Sequence, residues 1–135
     1  STISLEAWDR RYKANLDWNH AWGAAPANII PRFLVGVRPA EAGFASVLIA
    51  PQPAGLEWVT AKVPTPRGPV TVQVGQAGDA GLRRLTVDVP EDSATRIDLS
   101  GMLPADTGIR FDGEETTVAA LRGLTLPGGT HRVER

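Results

Sequence analysis

The sequence predicts a mainly β fold, an antiparallel β-sandwich preceded by one or two short helices, on three observations. From Phe44 onward apolar residues recur with a period of two, and glycine and proline interrupt them at the intervals of an all-β module. Before that point the apolar spacing is three and four, as on one buried face of a helix. Three of the four tryptophans (Trp8, Trp18, Trp22) and the single tyrosine, Tyr12, fall in the first 38 residues, so the two parts also differ in composition.

Residues 1–38 hold two segments that read as helix. Over residues 19–35 the positions Trp22, Ala25, Ile29, Ile30, Phe33 and Leu34 form one stripe, with Gly36 as the stop and Pro39 just beyond. Pro26 and Pro31 each lack a backbone donor and crowd the preceding turn, so Pro26 is expected to open the regular part and Pro31 to kink it. Strands are expected near residues 46–50, 57–63, 70–76, 82–89, 96–99, 108–111, 116–120, 124–126 and 130–134. The clearest unit alternates through Val59, Ala61 and Val63, turns at Pro64-Thr65-Pro66-Arg67-Gly68-Pro69, and alternates again through Val70, Val72 and Val74. That pattern is a hairpin with one buried face. Leu82, Leu85, Val87 and Val89 alternate less cleanly, and the last three fit a third strand on the same side.

With 135 residues and 42% hydrophobic content, the chain has material for one core of ordinary size plus an appended helical segment. Fourteen basic and 15 acidic residues, spread along the length, give a net charge of -1. There is no electrostatic footprint for nucleic acid or an anionic membrane, and partners of neutral charge are favoured. Absence of cysteine removes disulfides, thiolate metal sites and a cysteine nucleophile. No apolar run approaches the roughly 18 residues of a membrane span, and the N-terminus lacks a basic-then-apolar leader. A start at Ser1-Thr2-Ile3 reads as a cut inside a longer protein.

The first 22 residues concentrate Glu6, Trp8, Asp9, Asp17, Trp18, Asn19, His20 and Trp22. Such a mixture suits sugars, whose hydroxyls seek carboxylate, amide or imidazole partners and whose C–H face packs on an aromatic ring. The same residues also fit tryptophans filling a core or a domain junction beneath solvated helix charges. His20 has no metal partner or serine nucleophile in its local spacing, and His131, in the last strand, carries no functional weight. Glu6 and Asp9 would share a helix face, as close carboxylates that split acid and base roles do, and as many plain surface pairs also do.

Three stretches resemble the end of the catalytic domain of bacterial α-L-rhamnosidases, glycoside hydrolase family 78: Thr2-Ile3-Ser4-Leu5-Glu6-Ala7-Trp8-Asp9, Asp17-Trp18-Asn19-His20-Ala21-Trp22-Gly23-Ala24-Ala25-Pro26 and Phe33-Leu34-Val35-Gly36-Val37-Arg38-Pro39. The following segments, through Leu48-Ile49-Ala50-Pro51-Gln52-Pro53, Leu56-Glu57-Trp58-Val59 and Val63-Pro64-Thr65-Pro66-Arg67-Gly68-Pro69-Val70, resemble the start of that family's C-terminal β-sandwich. Beyond Gln76 the likeness is one of sandwich pattern alone. The resemblance implies that residues 1–38 are the C-terminal end of an (α/α)6 catalytic barrel and residues 39–135 the C-terminal sandwich domain. It implies an inverting hydrolase that releases terminal α-L-rhamnose or a related sugar. In such a mechanism a carboxylic acid and a carboxylate stand roughly 6.5–9.5 Å apart across the sugar. Glu6 falls where the family places its general base, His20 matches its active-site histidine, and Trp8 is expected to line the same pocket. Neither metal nor cofactor is implied. Leu5 stands where relatives often carry tryptophan, and the loop from Glu6 to His20 is compact, so the sugar is less fixed than the family. No residue matches the family's general acid, which lies upstream, so the isolated chain is expected to be inactive and to meet its carbohydrate substrate through the parent catalytic domain.

Two other readings belong to different classes. A stand-alone carbohydrate-binding module is disfavoured because after residue 43 the aromatics are Phe44, Trp58 and Phe111, too few for an obvious stacking platform. A structural interaction module would use the first 38 residues as an apolar helix seeking a partner. Cut away from its barrel, the stripe Trp22, Ile29, Ile30, Phe33 and Leu34 would lie open, and self-association through it is the expected consequence.

Overall fold

The computed structural model describes residues 11, 21–76 and 82–135. Its helical lead-in is a chain of three short pieces: a 3-10 turn Ala21–Ala24, helix α1 Ala25–Ile29 and a π-turn Ile30–Leu34. Pro26 sits in the first turn of α1 and Pro31 in the first turn of the π segment. Each proline therefore occupies a position where its missing N–H costs little. The expected single helix is divided where those prolines fall. Gly36 then ends it at φ +85°, and a Cβ at that position would fall on the Ala50–Pro51 peptide.

Nine strands follow among the described residues: β1 Val37–Pro39, β2 Ser46–Ile49, β3 Trp58–Val63, β4 Val70–Gln76, β5 Leu82–Val89, β6 Ala94–Ile97, β7 Gly108–Phe111, β8 Glu114–Thr117 and β9 Gly129–Glu134. They form a three-stranded sheet of order β1-β2-β6 and a six-stranded sheet of order β3-β4-β5-β9-β7-β8. All pairings are antiparallel except β2 with β6, which run parallel with Ser46 opposite Ala94. One core joins the sheets: Val37, Val47, Ile49 and Ile97 from the smaller sheet pack with Val59, Val70, Val72, Val74, Leu85, Val87 and Val133 from the larger. The fold is a mainly β sandwich, as the alternation predicts.

Residues 59–74 form the predicted hairpin, with Val59 opposite Val74, Ala61 opposite Val72 and Val63 opposite Val70. Its turn is fastened to the rest of the sandwich by Arg67. The Arg67 Nε donates to the Gly43 carbonyl at 3.1 Å, and Nη1 reaches both the Asp92 carbonyl at 2.9 Å and Asp92 Oδ2 at 3.0 Å. The unclean alternation at Leu82 also has a cause. Gly75 pairs with Arg84 but Gln76 with Leu82, so Arg83 is an extra residue in a β-bulge and Leu82 and Leu85 both return to the core.

Two expected elements differ, and one strand is additional. Of residues 116–120 only the first two are strand: β8 stops at Thr117, whose Oγ1 accepts from the Ala120 N–H at 3.2 Å and caps helix α2, Val118–Arg122. Val118 and Leu121, three apart, are the buried pair that a helix turn aligns. Residues 124–126 form one isolated bridge, Leu126 with Thr95, because Pro127 cannot continue a ladder. Strand β1, which the two-residue period is too short to reveal, borders β2.

Candidate functional site

Glu6, Trp8 and His20, the residues assigned to sugar chemistry, lie outside the described residues, as do Asp9, Asp17, Trp18 and Asn19. What the structure does give is how the segment directly after His20 is held. The Gln52 N–H is shared between the Phe33 and Leu34 carbonyls, both at 3.1 Å, and the Ala50 N–H donates to the Gly36 carbonyl at 2.9 Å. With Val35 buried at 1% exposure, these bonds anchor the last helical turn onto the β2 end of the sandwich. The other side of the lead-in is uncovered: Ile29 is 53% exposed, Ile30 48% and Phe33 39%. Arg32 and Arg38 each place a guanidinium 5.6 Å from the Phe33 ring.

His131 is largely buried, with Nδ1 2.9 Å from Asp112 Oδ2 and Nε2 2.9 Å from the Pro127 carbonyl, and its ring stacks on Phe111 at 5.7 Å. Asp112 Oδ1 in turn accepts from the Arg132 N–H at 2.6 Å. Both ring nitrogens are thus committed to structural bonds, and His131 is a brace between β9 and the β7–β8 turn. Asp98, at the end of β6, accepts from the Ser100 N–H at 2.9 Å and pairs with Arg122 Nε at 3.2 Å. Burial raises its pKa, but the Ser100 hydrogen bonds and the Arg122 and Arg38 charges together outweigh burial, and the carboxyl titrates below its ordinary 3.8. Among the described residues no group of three or more His, Cys, Asp or Glu side chains is placed to hold a metal ion. No described helix is long and apolar enough to cross a membrane.

Among the described residues the sandwich carries braced carboxylates, and sequence comparison identifies the family to which the chain belongs. The bacterial alpha-L-rhamnosidase C-terminal domain family matches residues 36–110, so the chain belongs to that family. Among solved structures it resembles an alpha-L-rhamnosidase from Dictyoglumus thermophilum (TM-score 0.76, 16% identity, 97% of this chain and 16% of that one). It is also similar to the Streptomyces avermitilis alpha-L-rhamnosidase complexed with L-rhamnose (TM-score 0.69, 22% identity, 96% and 13%). A third likeness is to the alpha-L-rhamnosidase from Aspergillus terreus (TM-score 0.69, 20% identity, 98% and 14%). At these identities the resemblance is one of fold, and the chain spans 13–16% of the length of those structures. No curated protein sequence matches it.

Proposed function

We propose that the chain is the C-terminal portion of an inverting glycoside hydrolase that releases terminal α-L-rhamnose or a related sugar, and that its sandwich braces the catalytic barrel. The observation that carries this reading is the family match over residues 36–110, immediately downstream of the Thr2-x-x-x-Glu6-x-Trp8 and Asn19-His20 segments. In it, residues 1–38 complete the (α/α)6 barrel and residues 39–135 form the separate sandwich domain. Glu6 acts as the general base that activates water, His20 bonds sugar hydroxyls or orients that water, and Trp8 lines the pocket. The general acid comes from upstream in the parent barrel, so the isolated chain hydrolyses nothing.

The uncovered Ile29, Ile30 and Phe33 face fits this role, because an apolar helix flank bonded to the sandwich on one side is suited to pack against neighbouring helices on the other. The test is hydrolysis of a chromogenic aryl α-L-rhamnoside by the parent protein and by its Glu6→Gln variant. Loss of several orders of magnitude in kcat assigns the base to Glu6. Retention of most activity moves the base elsewhere, and an inert parent limits the reading to the fold.

A further inference from the structure

One row of partners crosses the whole six-stranded sheet: Trp58, Gly75, Arg84, Glu134, Arg110 and Glu115. It lies on the face away from the core, since the chain neighbours Val59, Val74, Leu85, Val133 and Ile109 are buried. Trp58 is 71% exposed, the most exposed large apolar side chain among the described residues. Beside it, Gly75 contributes no side chain. A Cβ at Gly75 would meet the Arg84 carbonyl oxygen at 3.9 Å, an ordinary contact, and Gly75 is not among the residues with positive φ. Neither space nor backbone demands glycine there. Its effect is a notch about two strand spacings, roughly 10 Å, between the Trp58 and Arg84 positions.

The bulge supplies charge at that notch. As the extra residue, Arg83 joins Arg84 at the strand end, and the Arg135 N–H donates to the Arg83 carbonyl at 3.1 Å. Gly75, Arg83, Arg84, Glu134 and Arg135 line a depression of about 560 Å³, within the roughly 300–1,000 Å³ of small-molecule sites. Glu134 is engaged by Arg84 at 3.2 Å, which leaves the positive charge of Arg83 without a carboxylate partner among the described residues. The net charge of -1 for the whole chain conceals this local excess.

We propose that this face binds an acidic saccharide, its carboxylate or sulfate held at the Arg83–Arg84 notch and a neighbouring pyranose packed on Trp58. A guanidinium fork matches the paired oxygens of such groups, and an indole matches the C–H face of a pyranose. The ligand must bring both features, which neither a neutral glycan nor a simple anion does. The proposal does not depend on the catalytic role proposed above.

The test is titration of the chain with trigalacturonate, its fully methyl-esterified form, cellohexaose and sodium sulfate, followed by amide and indole NMR shifts. Trigalacturonate is expected to move the Trp58 indole and the Gly75 and Arg83 amides with a Kd on the order of 1 mM, and more weakly as salt is raised. Trp58→Ala and Arg83→Ala should each weaken it by roughly tenfold. Gly75→Val, which fills the notch from an outer-face position, should do the same with the thermal midpoint unchanged. Equal binding of the methyl ester or of cellohexaose overturns the proposal, because charge is then not read. Sulfate alone acting as strongly as trigalacturonate overturns it in favour of a plain anion site. Absence of any shift at these residues, or shifts that persist in Arg83→Ala and Trp58→Ala, also refutes it.

Discussion

Asp98 illustrates how one carboxylate can tie a strand end to a helix. It receives the Ser100 N–H, pairs with Arg122 of α2, and its own backbone N–H donates to the Ile49 carbonyl at 2.9 Å. Because its folded-state pKa lies below the ordinary 3.8, the unfolded chain binds the proton more readily. The stabilisation is therefore fully present above that ordinary value and is lost as pH falls through the lower, folded one. Asp98→Asn should cost roughly 1–2 kcal/mol near neutral pH, a figure kept small by the exposure of Arg122. The gap between the two proteins should close as pH falls through and below the ordinary 3.8. Urea denaturation at a series of pH values measures it, and a gap that stays constant into acid would show that the Asp98 charge contributes nothing.

At the scale of elements, the joint between helical lead-in and sandwich rests on Gly36. Alanine there would meet both a left-handed φ and the Ala50–Pro51 peptide, so Gly36→Ala should destabilise by about 2–4 kcal/mol. A denaturation midpoint within error of the parent would mean that the joint can open without cost to the core. Much of this architecture was legible in the sequence where alternation was unbroken, as through Val59 to Val74. It is ambiguous at residues 118–120, where Val118 and Ala120 continue the alternation of β8 while the Thr117 cap and the Val118–Leu121 spacing select a helix. The Asp112-Gly113 turn, with both residues at positive φ, is a two-residue hairpin loop whose dipeptide is itself a hairpin signal. Glu6, Trp8 and His20 came from resemblance, since their spacing carries no self-sufficient chemistry. The Arg83 notch was illegible for another reason: it exists only when the cross-strand register places Gly75 beside Arg84.

For the molecule as a whole, the open flank of Ile29, Ile30 and Phe33 is the feature to test in solution. Sedimentation velocity should show association that rises with concentration, and Ile30→Glu with Phe33→Ser should return the chain to monomer. A parent chain that stays monomeric throughout would count against this flank as a barrel seam. The parallel pairing of β2 with β6 bears on how the domain is made. The chain leaves the small sheet after Ile49, lays down β3, β4 and β5 in the large one, and returns with Ala94 beside Ser46. The β3–β4–β5 meander can close through nearby contacts, whereas β2, with β1 on one edge, must await a distant partner for the other. During synthesis, which releases the N-terminal part first, the second edge of β2 therefore stays unpaired until β6 emerges, and that interval is when a nascent chain of this fold most needs a chaperone.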